Sequence, residues 1–300
     1  MKVATITILT IASCIIIAHK TNKVIPHQPK TNCFTCDSVP EGTIFCDDFE
    51  TDQPLSDRYF EYDNDEGDFI RLANVGRDGN AGMRAIWQEG EMAAGSLKKS
   101  FGRTPDEYIG KHAVFPEKEF KEIYWRIDVK RQEGWKGGGG DKLTRATVMA
   151  GPHWRQGMIA HIWSSGNYLV MDPASGIDTN GILKSTRYND FSNLRWLGNK
   201  KGTTDLFSDA NAGKWFCVIA HVKLNTPGHS DGVFEFWIDD QLQAGSYNLN
   251  FHGNWNADPK NYMINAVFFE NYWSGSPALQ ERYFDNILIS SKPIQCNCNP

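Results

Sequence analysis

Several short stretches of the chain place ionisable and aromatic side chains at every second position, opposite a row of apolar ones. In residues 122–130 (EIYWRIDVK), Trp125 and Ile127 alternate with polar neighbours, and residues 158–163, 218–224 and 233–239 repeat the pattern. The polar sides together contain Tyr124, Arg126, Asp128, His161, Trp163, His221, Lys223, Glu235 and Trp237. Tryptophan can stack on the apolar face of a sugar ring, and Arg or Lys can pair with a carboxylate. The combination favours binding of an acidic sugar chain.

Each of these residues taken alone also has a structural interpretation. A single histidine such as His221 is commonly a hydrogen-bonded structural residue, and Trp237 could be covered by a loop. A plain solvated strand face, however, is rich in Lys, Glu, Thr and Ser. Because exposed aromatic patches commonly mark binding surfaces, we expect the collected residues to line one common trough.

Alternation with a period of two is typical of half-buried β-strands. Residues 215–239 predict an antiparallel hairpin, since residues 225–232 (NTPGHSDG) are rich in turn-forming Asn, Pro, Gly and Asp. Further strands are predicted over residues 43–50, 69–75, 83–87, 122–130, 144–150, 158–163, 262–273 and 283–290, with a loop over 172–184 and a polar excursion over 187–202. Helical periodicity is scarce. Many short strands with Gly- and Pro-rich turns predict an all-β sandwich or jelly roll.

The chain has 300 residues, a formal net charge of -5 and 40% hydrophobic residues, which is enough for one large core. No basic run points to nucleic acid or to an anionic membrane surface. Residues 1–18 predict a signal peptide, because a spanning helix needs about 20 apolar residues. The expected product is a secreted protein without a membrane span, although IASC, ending at Cys14, also resembles a lipidation site for a cell-surface anchor. Residues 19–41 then form a polar leader, 42–292 one domain and 293–300 a tail.

The cysteines predict disulfide bonds. Cys14 aside, the chain has an even number, namely Cys33, Cys36, Cys46, Cys217, Cys296 and Cys298, behind a signal peptide. The clusters near the two ends should tie the termini together, with a four-thiolate zinc site as the alternative. Cys46 and Cys217 are then paired by default, although sequence alone leaves the connectivity open.

Four segments of the sequence resemble secreted polysaccharide lyases of the concanavalin A-like jelly-roll superfamily, which includes glucuronan, alginate and heparin lyases. These segments are WFCVIAHVKLNTPG, DGVFEFWIDD, FFENYW and RYFDNI. The resemblance covers residues 42–291. It implies a concanavalin A-like jelly-roll β-sandwich and an acidic, uronate-containing polysaccharide as the partner. Since the superfamily also contains lectins and glycoside hydrolases, a non-catalytic carbohydrate-binding protein is the main alternative, and a structural or adhesive surface protein is a third class.

Lyases of this kind cleave by β-elimination, which needs three chemical groups. One neutralises the uronate carboxylate, a base removes the neighbouring proton, and an acid protonates the leaving oxygen. The resemblance assigns these roles to Arg126 (helped by Lys223), to His161 and to Tyr272, without a catalytic cofactor. Ile159 stands where relatives carry a glutamine, so the missing amide would come from Asn265, Asn271 or His153.

Other residues complete the predicted site, each with a simpler alternative. Substrate contacts are expected from Tyr124, Lys142, Arg145, Trp163, His221, Lys223, Glu235 and Trp237. Lys142 and Arg145, which follow the glycine run 137–140, could equally be solvated loop charges, and Tyr272 could be a girdle aromatic. The glycine run is expected to form a flexible rim loop.

Two further assignments concern carboxylates. Asp48, Glu50 and Asp285 resemble the calcium position of many such jelly rolls, and Ca²⁺ prefers hard oxygen ligands. The alternative is ordinary carboxylates at strand ends. Hydrolysis would need two carboxylates across the scissile bond. Glu235 and Asp239 share a strand face, but the glucanase pattern Glu-x-Asp-x-x-Glu is absent.

Overall fold

The computed structural model describes residues 35–138, 142–253 and 261–296. The predicted signal peptide, Cys14, Cys33, Cys298 and part of the glycine run lie outside these ranges. No helix in the described ranges has the length and apolar character needed to cross a bilayer.

The strands are β1 (Thr43–Asp47), β2 (Glu61–Asp63), β3 (Phe69–Leu72), β4 (Gly82–Trp87), β5 (Ala93–Ser100), β6 (Glu122–Arg131), β7 (Lys142–Gly151), β8 (Arg155–Ser165), β9 (Tyr168–Ser175), β10 (Arg195–Trp196), β11 (Lys200–Lys201), β12 (Trp215–Lys223), β13 (Gly232–Ile238), β14 (Gln241–Leu249), β15 (Ala266–Tyr272) and β16 (Gln280–Ser290). Two short helices, α1 (Leu55–Arg58) and α2 (Glu107–Gly110), are also present.

The strands form two antiparallel sheets that pack face to face as an all-β sandwich. The first sheet has the order β14-β13-β12-β6-β16-β4-β3, and β1 also pairs with β16. The second sheet has the order β10-β9-β8-β7-β15-β5-β2, and β11 also pairs with β9. The predicted all-β fold is therefore confirmed.

Local alternation predicted strands with a clear apolar side and missed strands without one. The hairpin of residues 215–239 is β12 and β13, with Val218 opposite Ile238. The predicted loop over 172–184 is wrong at its start, because Asp172 to Ser175 continue β9. Strands β5 and β14 were not predicted, since AAGSLKKS and QLQAGSYNL carry Gly, Ser, Gln and Lys where a periodic apolar side would be expected.

The apolar sides of both sheets meet in one core. It includes Trp125 and Phe234 from the first sheet and Leu97 and Phe269 from the second, each fully buried. Trp125 Nε1 donates to Thr144 Oγ1 across the core at 3.0 Å. Since each strand has only one side in this core, its other side lies on an outer face of the sandwich.

Arg282 is a charged side chain that crosses this core. It lies on β16 in the first sheet, has no exposed surface and reaches the second sheet. Its Nη2 donates to the carbonyl oxygens of Lys142 (3.0 Å) and Glu270 (2.8 Å), and to Asn271 Oδ1 (2.8 Å). The pairing of β7 and β15 with their neighbours shifts register at these positions. A β-bulge leaves main-chain groups outside the ladder, so Arg282 satisfies oxygens that the sheet itself does not.

Two disulfides join parts of the described chain. Cys36 is bonded to Cys46, and Cys217 is bonded to Cys296. The default pairing of Cys46 with Cys217 is therefore wrong, and the zinc alternative is wrong because Cys36 and Cys296 are not free thiolates. Cys36 is thus joined to β1 and Cys296 to β12, so the expectation that these two cysteines help to tie the termini to each other is also wrong. Disulfides are typical of an oxidising compartment.

We expect Arg282→Ala to lower the free energy of unfolding by at least about 3 kcal/mol. Three buried oxygens would each lose a donor, and an unsatisfied buried group costs about 1–3 kcal/mol. Chemical denaturation measures the change. The control is Arg84→Ala on β4, because the Arg84 side chain is 25% exposed and lies 3.8 Å from Glu281. That change should cost less than about 1 kcal/mol. Equal effects of the two substitutions would contradict the role given to Arg282.

Candidate functional site

The residues predicted to line one trough lie on two opposite faces of the sandwich. Strands β6, β12 and β13 belong to the first sheet, and β8 belongs to the second. Their core-facing residues meet, so the polar sides point away from each other. The single trough is therefore a wrong prediction. Alternation identifies the outer side of a strand but does not tell which sheet the strand joins.

Arg126 does not lie beside His161. It is on the outer side of the first sheet, only 3% exposed, and its guanidinium pairs with Asp128 at 2.9 and 3.0 Å. Its Nη1 donates to the carbonyl oxygens of Gln295 and Cys296 at 3.2 and 3.3 Å. The expected partnership of Arg126 with His161 is therefore wrong, and its contacts hold the C-terminal segment against β6.

His221 also has structural contacts. Its Nδ1 lies 2.9 Å from Glu235 Oε1, and its Nε2 lies 2.8 Å from Glu122 Oε1. Its ring stacks on Tyr124 at 4.1 Å between centroids. Burial, followed by the charges of Glu122 and Glu235, raises the pKa of Tyr124 to about 12. These contacts favour the structural interpretation of His221.

The two remaining residues predicted on this face are not next to His161 either. Trp237 packs on the buried disulfide pair Cys217 and Cys296 together with Ile219. Lys223 is exposed at the end of β12, where its backbone faces Glu122. Both residues belong to the first sheet, so neither side chain lies on the outer face of the second sheet, where His161 lies.

The outer face of the second sheet collects a different set of charged and aromatic residues. One row crosses five neighbouring strands through directly facing partners: Lys98 on β5, Phe268 on β15, Arg145 on β7, His161 on β8 and Asp172 on β9. Directly facing residues have Cβ atoms about 4.5–5.5 Å apart. The sheet itself therefore brings the Arg145 and His161 backbones together.

A second row runs beside the first. It consists of Tyr272 on β15, Lys142 on β7, Trp163 on β8, Val170 on β9 and Lys201 on β11. The Lys142 Nζ lies 4.6 Å from the centre of the Tyr272 ring, and Tyr272 is 37% exposed. Three of the residues predicted from sequence, Lys142, Trp163 and Tyr272, are therefore close to His161 and Arg145.

Arg145 is held by a network of buried partners. It is 2% exposed, its Nη1 donates to Asn189 Oδ1 at 2.9 Å, and its Nη2 lies 2.9 Å from Glu270 Oε1. The hydroxyl of Tyr188 accepts a further bond from Nη2. Burial acts to raise the pKa of Glu270, but the charges of Arg145 and Lys142 hold it below its usual value. The carboxylate thus stays ionised and fixes the guanidinium.

His161 is a mostly buried imidazole on the same outer face. Its Nε2 is buried and has no hydrogen-bond partner among the described residues. Burial, followed by the charges of Arg145 and Lys142 and against that of Glu270, lowers the pKa of His161 to about 3. The ring is therefore neutral at physiological pH, with a nitrogen lone pair or N–H available. Buried polar atoms without partners in a charged cluster are typical of functional sites.

Tyr188, Asn189, Glu270 and Asp172 were not predicted as site residues. Tyr188 and Asn189 reach Arg145 from a loop 43 and 44 positions along the chain, and no short-range pattern marks such a contact. Glu270 lies in FFENYW, where it looked like part of an apolar strand. Asp172 was placed in a loop, yet it faces His161, and burial raises its pKa to about 6.

The candidate calcium ligands lie together but do not form a recognisable metal site. Asp48, Glu50 and Asp285 line one cavity of about 840 Å³. Both oxygens of Asp48 accept main-chain N–H groups, from Cys36 and Glu50. Among the described residues, no three His, Cys, Asp or Glu side chains are arranged to hold a metal.

Comparisons with known proteins identify the fold. An alginate lyase, vAL-1 from Chlorella virus, matches 74% of this chain and 89% of its own length, with a TM-score of 0.51 and 14% identity. An endo-β-1,4-glucuronan lyase from the fungus Trichoderma reesei matches 83% and 96%, with a TM-score of 0.54 and 11% identity. This chain therefore shares the β-sandwich fold of these two lyases. A weaker likeness, with a TM-score of 0.44 and 14% identity over 72% and 82%, is to alginate lyase Aly36B in complex with an alginate tetrasaccharide.

Sequence comparison adds nothing to the structural likeness. No family model matches the chain, and no curated protein matches it. At 11% and 14% identity, the likeness establishes the jelly roll and leaves the activity to be argued from the site.

The low pKa of His161 leads to a prediction about stability. The folded pKa lies below the ordinary value of 6.5, so the unfolded chain takes up a proton first as the pH falls. The stability that the neutral ring contributes is complete above about pH 6.5 and is lost as the pH falls towards the folded pKa. We expect the ¹⁵N NMR shifts of His161 to report a neutral ring at pH 5. A ring that titrates near its ordinary value would contradict the buried environment.

Proposed function

We propose that the chain binds a uronate-containing polysaccharide on the outer face of the second sheet and cleaves it by β-elimination. The observation that carries this proposal is the neutral His161, with its unpaired Nε2, beside the fixed cation Arg145. A base and a positive charge must lie side by side to remove a proton next to a carboxylate. The partly exposed rings of Trp163 and Tyr272 on the same face suit a sugar chain.

The roles proposed from sequence change in one respect. Arg145, with Lys142, replaces Arg126 and Lys223 as the positive partner of the substrate carboxylate. His161 keeps the role of base, because a neutral imidazole can accept the proton as the substrate carboxylate is neutralised. Tyr272 keeps the role of acid, since this partly exposed residue lies on the row that contains Lys142 and Trp163.

Two properties of the same residues favour the second candidate, a non-catalytic carbohydrate-binding protein. Arg145 is already bonded to Glu270, Tyr188 and Asn189, so a substrate carboxylate would have to share it. A histidine with a pKa of about 3 is also a weak base. Substrate binding would have to raise this pKa through the added carboxylate charge, whereas simple binding needs no such change.

Two other expectations belong to the same proposal. A signal peptide, with export to an oxidising extracellular compartment, agrees with the two disulfides. A structural calcium ion stays a prediction. Burial, followed by the charges of Asp128 and Glu50, raises the pKa of Asp285 to about 7, and a bound cation would relieve that cost. Unchanged thermal stability after chelation would argue against calcium.

The test is turnover of glucuronan, alginate and glycosaminoglycans, followed by the ultraviolet absorbance of the unsaturated uronate product. We expect one of these polymers to be cleaved, and His161→Ala and Tyr272→Phe each to lower kcat by about 10²–10⁴-fold, the usual contribution of a general acid or base. The affinity for the polymer should change little, because the stacking and charged residues remain.

The matched control is Tyr247→Phe, which removes a hydroxyl that donates to Glu235 on the first sheet, 2.7 Å away. This variant should keep full activity. Tight binding of a uronate polymer without any new absorbance would overturn the lyase proposal in favour of the binding protein. Absence of both binding and cleavage would overturn the choice of substrate.

A further inference from the structure

The edge of the second sheet is formed by two short strands from the excursion of residues 187–202. On β10, Trp196 faces Ala174 of β9, and on β11, Lys201 faces Val170 of β9. Facing partners project to the same side of a sheet. Val170 also faces Trp163 on β8, on the outer face. Trp196 and Lys201 therefore project from the same face as His161.

Exposed aromatic side chains mark this edge. Trp196 is 48% exposed and Phe191 is 54% exposed, and their rings lie 6.1 Å apart at an angle of 27°. The Lys201 Nζ lies 4.6 Å from the centre of the Tyr168 ring. A cluster of exposed rings is typical of a binding surface.

The charge of this segment is opposite to that of the whole protein. Residues 187–202 contain four Lys and Arg residues and one Asp, a net charge of +3, in a chain of formal net charge -5. The single acid, Asp190, is buried and bonded to Thr186 and Asn193. The segment therefore offers a positive field to an anionic ligand.

The position of the edge relates it directly to His161. Asp172 faces His161 and lies on β9 between Val170 and Ala174, which are the partners of Lys201 and Trp196. A polymer that crosses the strands from His161 over Asp172 therefore leaves the sheet between Trp196 and Lys201. The edge strands are two strand spacings from β8, roughly 10 Å.

We propose that Trp196 and Lys201 form an outer subsite that holds a uronate unit beyond the one that reacts, with the Trp196 ring stacked on the sugar and Lys201 paired with its carboxylate. This inference rests on the proposed function, since it concerns the same polymer. It adds that the protein binds long uronate chains more tightly than short ones. Lys201 contributes through charge, so its share of the affinity falls as salt is added.

The chain provides a matched control one residue away. Lys200 carries the same charge, but it faces Met171, a core residue, and its Nζ donates to the Gly245 carbonyl at 2.5 Å. Lys200→Ala removes the same charge from the segment without touching the outer face of the sheet. A general electrostatic effect would change both variants, whereas a subsite would change only Lys201→Ala.

The experiment measures by calorimetry the affinity of Lys201→Ala, Trp196→Ala and Lys200→Ala for a uronate trimer and a uronate hexamer at low and high salt. We expect Lys201→Ala and Trp196→Ala to weaken hexamer binding about threefold to tenfold at low salt and to leave trimer binding unchanged. Lys200→Ala should match the wild type. Thermal melts check that each variant is folded.

The outcomes separate the two proposals. A wild-type protein that binds the hexamer, with Lys201→Ala and Trp196→Ala binding it equally well, overturns the subsite and leaves the proposed function standing. Equal weakening of trimer and hexamer also overturns it, because the effect would then not depend on chain length. A wild-type protein that binds neither oligomer overturns the proposed function and the subsite with it.

Discussion

The buried guanidinium of Arg282 is the interaction on which the candidate site depends. It crosses from β16 to the second sheet and bonds to the carbonyl oxygens of Lys142 and Glu270, where the pairing of β7 and β15 changes register. Bulges at these positions turn Lys142, Glu270 and Tyr272 relative to a regular ladder. Without a donor for the freed oxygens, the local geometry would be costly. A residue of the first sheet thus stabilises the part of the second sheet that carries the charged residues of the candidate site.

On the outer face of the second sheet, the protonation states of Glu270 and His161 depend on the charges that lie close to them. Glu270 stays ionised because Arg145 and Lys142 lie close, and burial, followed by the charges of the same two cations, keeps His161 neutral by lowering its pKa. Arg145 is therefore fixed, while the neutral imidazole keeps one nitrogen lone pair that can accept a proton. A uronate carboxylate that enters this cluster adds the negative charge that raises the proton affinity of His161. Binding and proton removal would then be coupled through one electrostatic network.

The sequence predicted the fold and most of the strands with a clear apolar side, together with the outer side of each. It did not predict which strands share a sheet, because period-two alternation is a local property and sheet order is not. That is why Arg126 was placed beside His161, although Arg145 is the arginine that faces it. Trp163 was predicted from alternation along its strand, Lys142 from its place after the glycine run, and Tyr272 from the resemblance to lyases. Tyr188 and Glu270 were missed, since their roles arise only from contacts between segments distant in the chain.

The central claim is that the ligand face is the outer face of the second sheet. NMR titration of the protein with a uronate hexamer tests it directly, because each sheet has its own reporter side chains. The account predicts that the signals of His161, Trp163 and Trp196 shift with a common affinity, while those of His221 and Trp237 on the first sheet stay in place. Shifts confined to His221 and Trp237 would contradict it.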